Sequence, residues 1–213
     1  MQLRIFILAT VGSIAAFAQN PVSADSPYQI KYASNLTVGD SVINISNTGA
    51  AMTAPNHGTA TSGNGTICAN FYVFDFAEEF VSCCACPVTP NGLQSYSIKN
   101  DLITNPLLAK STPTSVVVKV VATRYAGGCN PITAPAAANL VPGLVAWGTT
   151  LHANTTAAAG TYAVTETAFT PATPNVNELD RLAFWCGVTI GGSGGGLCSN
   201  CRNGGLGAGS NAR

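Results

Sequence analysis

Eight cysteines in an uneven spacing constrain this fold more than any other feature. Cys83, Cys84 and Cys86 stand together in mid-chain, Cys198 and Cys201 sit near the end, and Cys68, Cys129 and Cys186 are single. In an extended strand successive side chains alternate faces, so Cys84 and Cys86 point one way and Cys83 the other. A disulfide needs Cβ atoms about 4 Å apart, so this cluster does not close on itself. Its bonds must leave in two directions and tie one strand to two different neighbours.

Whether such thiols are staples, metal ligands or a redox pair depends on the compartment. Met1 to Arg4 precede an uncharged apolar run over residues 5–18 that ends in Ala16-Phe17-Ala18. This is the n-region, h-region and small-x-small site of a secretory signal. Val22-Ser23-Ala24 offers a second site, so the signal peptide is expected within residues 1–24, with cleavage after Ala18 or after Ala24. The run is shorter than the ~20 apolar residues of a spanning helix, and no later segment is longer, so no membrane span is expected in the mature chain. The expected destination is secretion, the periplasm or the cell surface of a bacterium.

Oxidising compartments favour disulfides, and the expectation is a structural framework built from Cys68, Cys83, Cys84, Cys86, Cys129, Cys186, Cys198 and Cys201. A zinc site formed by two close thiol pairs is a weaker reading. So is a redox pair at Cys198 and Cys201, because a redox CxxC uses a helix N-terminus and this one stands in a glycine tail. Eight cysteines allow on the order of a hundred connectivities. One is favoured by the expected hairpin, which brings Cys68 level with residues 84–86 and predicts a bridge to Cys84 or Cys86.

Strand signals run from residue 28 to about 170 as short β-branched or aromatic stretches between Gly, Pro and Asn clusters. Residues 37–46 alternate apolar and polar after a turn at Gly39-Asp40 and predict the opening strand. Residues 67–74 place Ile67, Ala69, Phe71 and Val73 on one face and Cys68, Asn70, Tyr72 and Phe74 on the other, which predicts a central strand. Asp75, Glu78 and Glu79 mark a hairpin tip before residues 80–88. Thr89-Pro90-Asn91-Gly92 is a turn, with Pro presetting φ and Asn-Gly supplying positive φ. Further strands are predicted over 93–98, 113–122, 143–153 and 162–169. About eight strands with these spacings give a mainly β fold, an antiparallel β-sandwich over residues 25–190. One helix is predicted near residues 177–188, capped by Asn177, with Asp180 at the capping-box position and Leu179, Leu182 and Cys186 on one face. Trp147 and Trp185 are assigned to the core. Residues 191–213 form a Gly-rich tail that carries the CxxC knuckle.

Charge excludes several functions. Only 8% of residues are charged, nine basic and nine acidic, against ~25% in ordinary domains. Such a surface does not steer polyanions, which argues against nucleic acid and anionic lipid. Near-zero net charge favours self-association or attachment to a surface matrix or glycan.

No catalytic or cofactor-binding constellation emerges. Gly191, Ser193 and Gly195 match the GxSxG elbow formally, but that motif needs a strand before the serine and a helix after it. His57 and His152 are isolated histidines. Glu78 and Glu79 are adjacent, which suits a solvated tip, and Asp75, Glu78 and Glu79 lack the alternating oxygen ligands of a calcium loop. Asn35, Asn44, Asn64 and Asn154 open N-x-S/T sequons that are read here as polar surface. No metal and no cofactor is therefore expected.

The stretch from Cys83 to Leu93, CCACPVTPNGL, is the most specific part of a likeness that also takes in residues 42–50, 68–74, 77–79, 101–103, 113–119, Ala146 to His152, Glu178 to Leu182 and the C-terminal CxxC. On these motifs the chain resembles an uncharacterised family of exported acidobacterial proteins. The resemblance implies export and carries no catalytic residue across. The expected function is a non-enzymatic secreted or cell-surface protein with a structural, adhesive or assembly role. Two alternatives stay open, a carbohydrate-binding module using exposed aromatics and a small secreted hydrolase using one of the histidines.

Overall fold

A computed structural model of the chain describes residues 25–53, 64–103, 113–153, 158 and 160–193. The expected signal peptide, His57, Asn154, Cys198 and Cys201 lie outside the described residues. Nine strands occur among those described: β1 Tyr28–Ala33, β2 Val42–Asn47, β3 Ile67–Asp75, β4 Phe80–Val88, β5 Leu93–Ser97, β6 Val116–Arg124, β7 Leu144–Ala153, β8 Tyr162–Ala168 and β9 Thr170–Pro171. One helix follows, α1 Val176–Ser193. The strands form two antiparallel sheets, one in the order β4-β3-β6-β1-β9 and the other β5-β2-β7-β8. The strand predicted to open the sandwich is β2. β1 precedes it and pairs with β6 and β9.

Alternation decides which residues meet between the sheets. Ile67, Ala69, Phe71 and Val73 of β3 face inward with Val116, Val118 and Val120 of β6. Against them the second sheet sets Ile43, Ile45, Tyr96, Leu144 and Ala146. The Phe71 and Tyr96 rings lie 4.6 Å apart. β3 runs between β4 and β6 and is buried along its whole length, as its two apolar faces require. Its other face supplies Tyr72 and Phe74 to a second core with Tyr28, Cys83, Val121, Leu179, Leu182 and Cys186. α1 thus seals the outer face of the five-stranded sheet.

Polar side chains also cross between the sheets. Gln29 of β1 donates to Leu144 O at 2.6 Å and accepts from the Ala146 amide at 3.2 Å. Asn47 donates at 2.8 Å to Gly65 O and to Val88 O. Buried amide and carbonyl groups stay costly unless paired, so these bonds fix how the sheets sit on each other.

The helix differs from expectation at both ends. Its cap is Asn175, whose Oδ1 accepts from the Asn177 amide at 2.8 Å. Asn177 lies inside the helix, and Glu178 takes the third position after the cap. The helix also passes residue 188 and runs to Ser193, taking in residues assigned to the tail. Ile190 packs on the second core and extends the seam of Leu179, Leu182 and Cys186. Packing of that seam outweighs the low helix propensity of Gly187, Gly191 and Gly192. Trp185 is not a core residue. It is 40% exposed on α1 beside Phe184, because the buried stripe runs through Leu182 and Cys186 and position 185 falls off it.

Candidate functional site

The cysteine cluster divides as strand geometry dictates. Cys83 lies in the core beneath α1 and bonds Cys186, whereas Cys84 and Cys86 face the space between the sheets. Cys84 stands opposite Phe71 and Cys86 opposite Ala69. Cys68 bonds Cys129, which overturns the expected bridge to Cys84 or Cys86. The register explains the correction. Cys68 pairs with Pro87 on β4, and its side chain shares the face of Asn70 and Tyr72, opposite to that of Cys84 and Cys86. Only a group on the outer side of the sheet reaches it, and the loop carrying Cys129 lies there, where Pro131 O also accepts from Tyr72 Oη at 2.7 Å. Bridges of this kind persist in oxidising compartments.

The acidic hairpin tip is occupied by its own turn. Asp75 Oδ1 accepts from the Ala77 amide at 2.8 Å and the Glu79 amide at 2.9 Å. Glu78 takes a left-handed backbone, φ 65°. Beside the tip, a cleft of about 180 Å³ is lined by Phe74, Asp75, Glu78, Val117, Lys119 and Arg181. Lys119 lies 4.9 Å over the Phe74 ring and pairs with Glu178 at the start of α1. Burial first, and the Glu178 charge second, push the Tyr28 hydroxyl up to about 12. A wider cleft of about 400 Å³ lies among Thr53, Asn64, Thr66, Arg124, Tyr125 and Pro142.

His152, the penultimate residue of β7, lies between Asn35 and Thr165. Its Nδ1 is 3.4 Å from Asn35 Nδ2 and its Nε2 is 2.9 Å from Thr165 Oγ1. An amide donor on Nδ1 makes the Nε2 tautomer the one that donates to Thr165. Among the described residues no group of three or more His, Cys, Asp or Glu side chains gathers in a metal-ligating arrangement. Among them, too, no helix is long and apolar enough to cross a membrane. The exposed aromatics come from separate elements: Tyr32 on β1, Phe76 at the hairpin tip, Tyr162 on β8, and Phe184 and Trp185 on α1.

The strand predicted over residues 162–169 is present as β8, and the feature that sequence reasoning missed is its exposure. β8 pairs with β7 from Trp147↔Ala168 to Ala153↔Tyr162 and ends its sheet, yet all seven of its residues are exposed. The reason lies in the facing sheet. There the outermost strand, β9, has two residues, because Pro171 and Pro174 stop it, so little of the first sheet extends over β8. Lys31 is the main tie across this gap. It is buried between the sheets, donates to Thr167 Oγ1, and is held below the usual lysine range by burial. Gly148 makes room for it, since a Cβ there would fall 2.7 Å from Lys31 Cε. Val164 is 58% exposed, and Tyr162 is exposed beside it.

No protein-family model, curated protein or solved structure matches the chain.

Proposed function

We propose that this chain acts after export as a non-enzymatic structural protein that assembles with further copies by strand addition at β8. The observation that carries the reading is an edge strand of seven residues open on both faces, with Val164 and Tyr162 at its surface. An uncovered edge presents a row of backbone donors and acceptors that templates another strand. Soluble proteins commonly block such edges with charge or proline, and β8 carries only Glu166. The formal charge of zero leaves little repulsion between copies. Export is supported by the N-terminal signal pattern, the resemblance to exported proteins and the two bridges, which belong to an oxidising compartment.

Sedimentation velocity of the natively exported chain tests the reading. Wild type should form species larger than a monomer as concentration rises. Val164→Lys, an exposed substitution that adds an edge charge, should remain monomeric with an unchanged circular dichroism spectrum. A wild-type chain that stays monomeric throughout overturns the proposal.

A further inference from the structure

Lys31 is a buried cation without a counterion. It is 6% exposed, and among the described residues no carboxylate pairs with it. Its ammonium donates to Thr167 Oγ1. A buried charge is costly unless hydrogen bonds and an opposite charge both meet it. The threonine hydroxyl supplies the first and not the second. The lysine stem is nonetheless built into this place, since a Cβ on Gly148 would fall 2.7 Å from its Cε and 2.9 Å from its Cδ.

Beside the ammonium, two hydroxyl protons are left to donate. Thr167 Oγ1 accepts from Lys31, so its own O–H needs an acceptor elsewhere. Thr165 Oγ1 accepts at 2.9 Å from His152 Nε2–H, in the tautomer that Asn35 fixes, so its O–H is in the same position. Among the described residues neither hydroxyl donates to a partner. Thr165 and Thr167 are two apart on β8, which puts them on one face with roughly 6.7 Å between them. That is the face toward Lys31, between the sheets, and both threonines are exposed on it because β9 opposite is two residues long.

The inner face of β8 therefore presents a row of donors, the ammonium and two hydroxyls, that carries the single charge of Lys31. One positive charge is balanced by a monoanion, which points to a carboxylate in preference to a phosphate dianion. The second hydroxyl, at Thr165, calls for an oxygen acceptor farther along the same molecule. We propose that this face binds a sugar acid, with its carboxylate on Lys31 Nζ and Thr167 Oγ1 and a ring or hydroxyl oxygen on Thr165 Oγ1. The bound carboxylate gives Lys31 the opposite charge that its burial calls for. This site is independent of assembly at the edge of β8, which uses the backbone and Val164 on the other face, so either proposal can fail without the other.

Titration of dilute wild-type protein with sodium D-galacturonate, followed by backbone amide NMR, tests it. Saturable shifts should fall on Lys31, Thr165 and Thr167, and uncharged D-galactose should cause none. Acetate, which offers the charge without the hydroxyls, should bind about tenfold more weakly or worse. Lys31→Met should abolish binding. Thr165→Val, an exposed change that leaves the buried lysine in place, should weaken it by about five- to tenfold with an otherwise unchanged spectrum. Trigalacturonate binding more tightly than the monomer assigns the sugar acid to a glycan chain, and equal affinity assigns it to the free acid. Shifts that do not saturate, that lie away from β8, that galactose reproduces, or that survive both substitutions overturn the proposal.

Discussion

Asn70 shows how a single buried amide is committed. Its Nδ2 donates to Cys68 O at 3.1 Å, Val121 O at 2.8 Å and Thr123 Oγ1 at 2.9 Å, while Oδ1 has no hydrogen-bond partner. Three oxygens therefore surround one donor group on the outer face of β3. Asn70→Asp sets a carboxyl group against those oxygens and should cost about 3 kcal/mol or more in urea denaturation. A loss below 1 kcal/mol, roughly the worth of one ordinary hydrogen bond, contradicts this account of the site. The buried tyrosines make a second prediction. Tyr28 is pushed up to about 12, and burial also raises Tyr72 and, with help from Asp101, Tyr96. The unfolded chain releases these protons near pH 10. Stability should thus be level below about pH 10 and fall as pH rises toward 12, by about 1.4 kcal/mol per pH unit for each fully protected tyrosine. Tyr72→Phe should make the alkaline slope shallower, as read by denaturation midpoints on either side of pH 10. An unchanged slope counts against the burial of that hydroxyl.

At the scale of elements, each bridge ties β3 or β4 to something outside the sheet. Cys83–Cys186 closes a separation of 103 residues and holds α1 down, while Cys68–Cys129 closes 61 and holds the loop after β6. Chain-entropy reasoning gives each on the order of 4 kcal/mol, slightly more for the longer loop. Cys83→Ala/Cys186→Ala should therefore lower stability by about 2–5 kcal/mol, and by more than Cys68→Ala/Cys129→Ala, because it also frees the helix. Chemical denaturation without reductant measures both, and equal or reversed losses contradict the ranking. The sheet architecture was legible because β-branched runs and turn residues are local signals, as in residues 67–74 and at Thr89 to Gly92. The split of Cys83 from Cys84 and Cys86 was legible for the same reason, since it needs only alternation. The partner of Cys68 was not, because it depends on a register that sets Cys68 against Pro87 and on a loop, at Cys129, without periodicity. The extension of α1 to Ser193 rests on Ile190 meeting a surface built by distant strands. The openness of β8 comes from the shortness of β9 in the other sheet, a relation that no local stretch of sequence expresses.

On the scale of the whole molecule, the fold has two cores, one between the sheets and one under α1, with the bridged strand β4 between them. Stability is concentrated at the α1 and β4 side, and the opposite side ends in β8, which Lys31 ties across to Thr167. A chain built this way is firmly held where it is stapled and open to a further strand where it is not. The central claim is that β8 is where copies meet. Hydrogen exchange followed by mass spectrometry, comparing dilute and concentrated exported protein, tests it most directly. The account predicts that backbone amides of Tyr162–Ala168 become protected on assembly while those of β4 stay as they were. Assembly that leaves β8 amides exchanging freely, with new protection elsewhere, contradicts it.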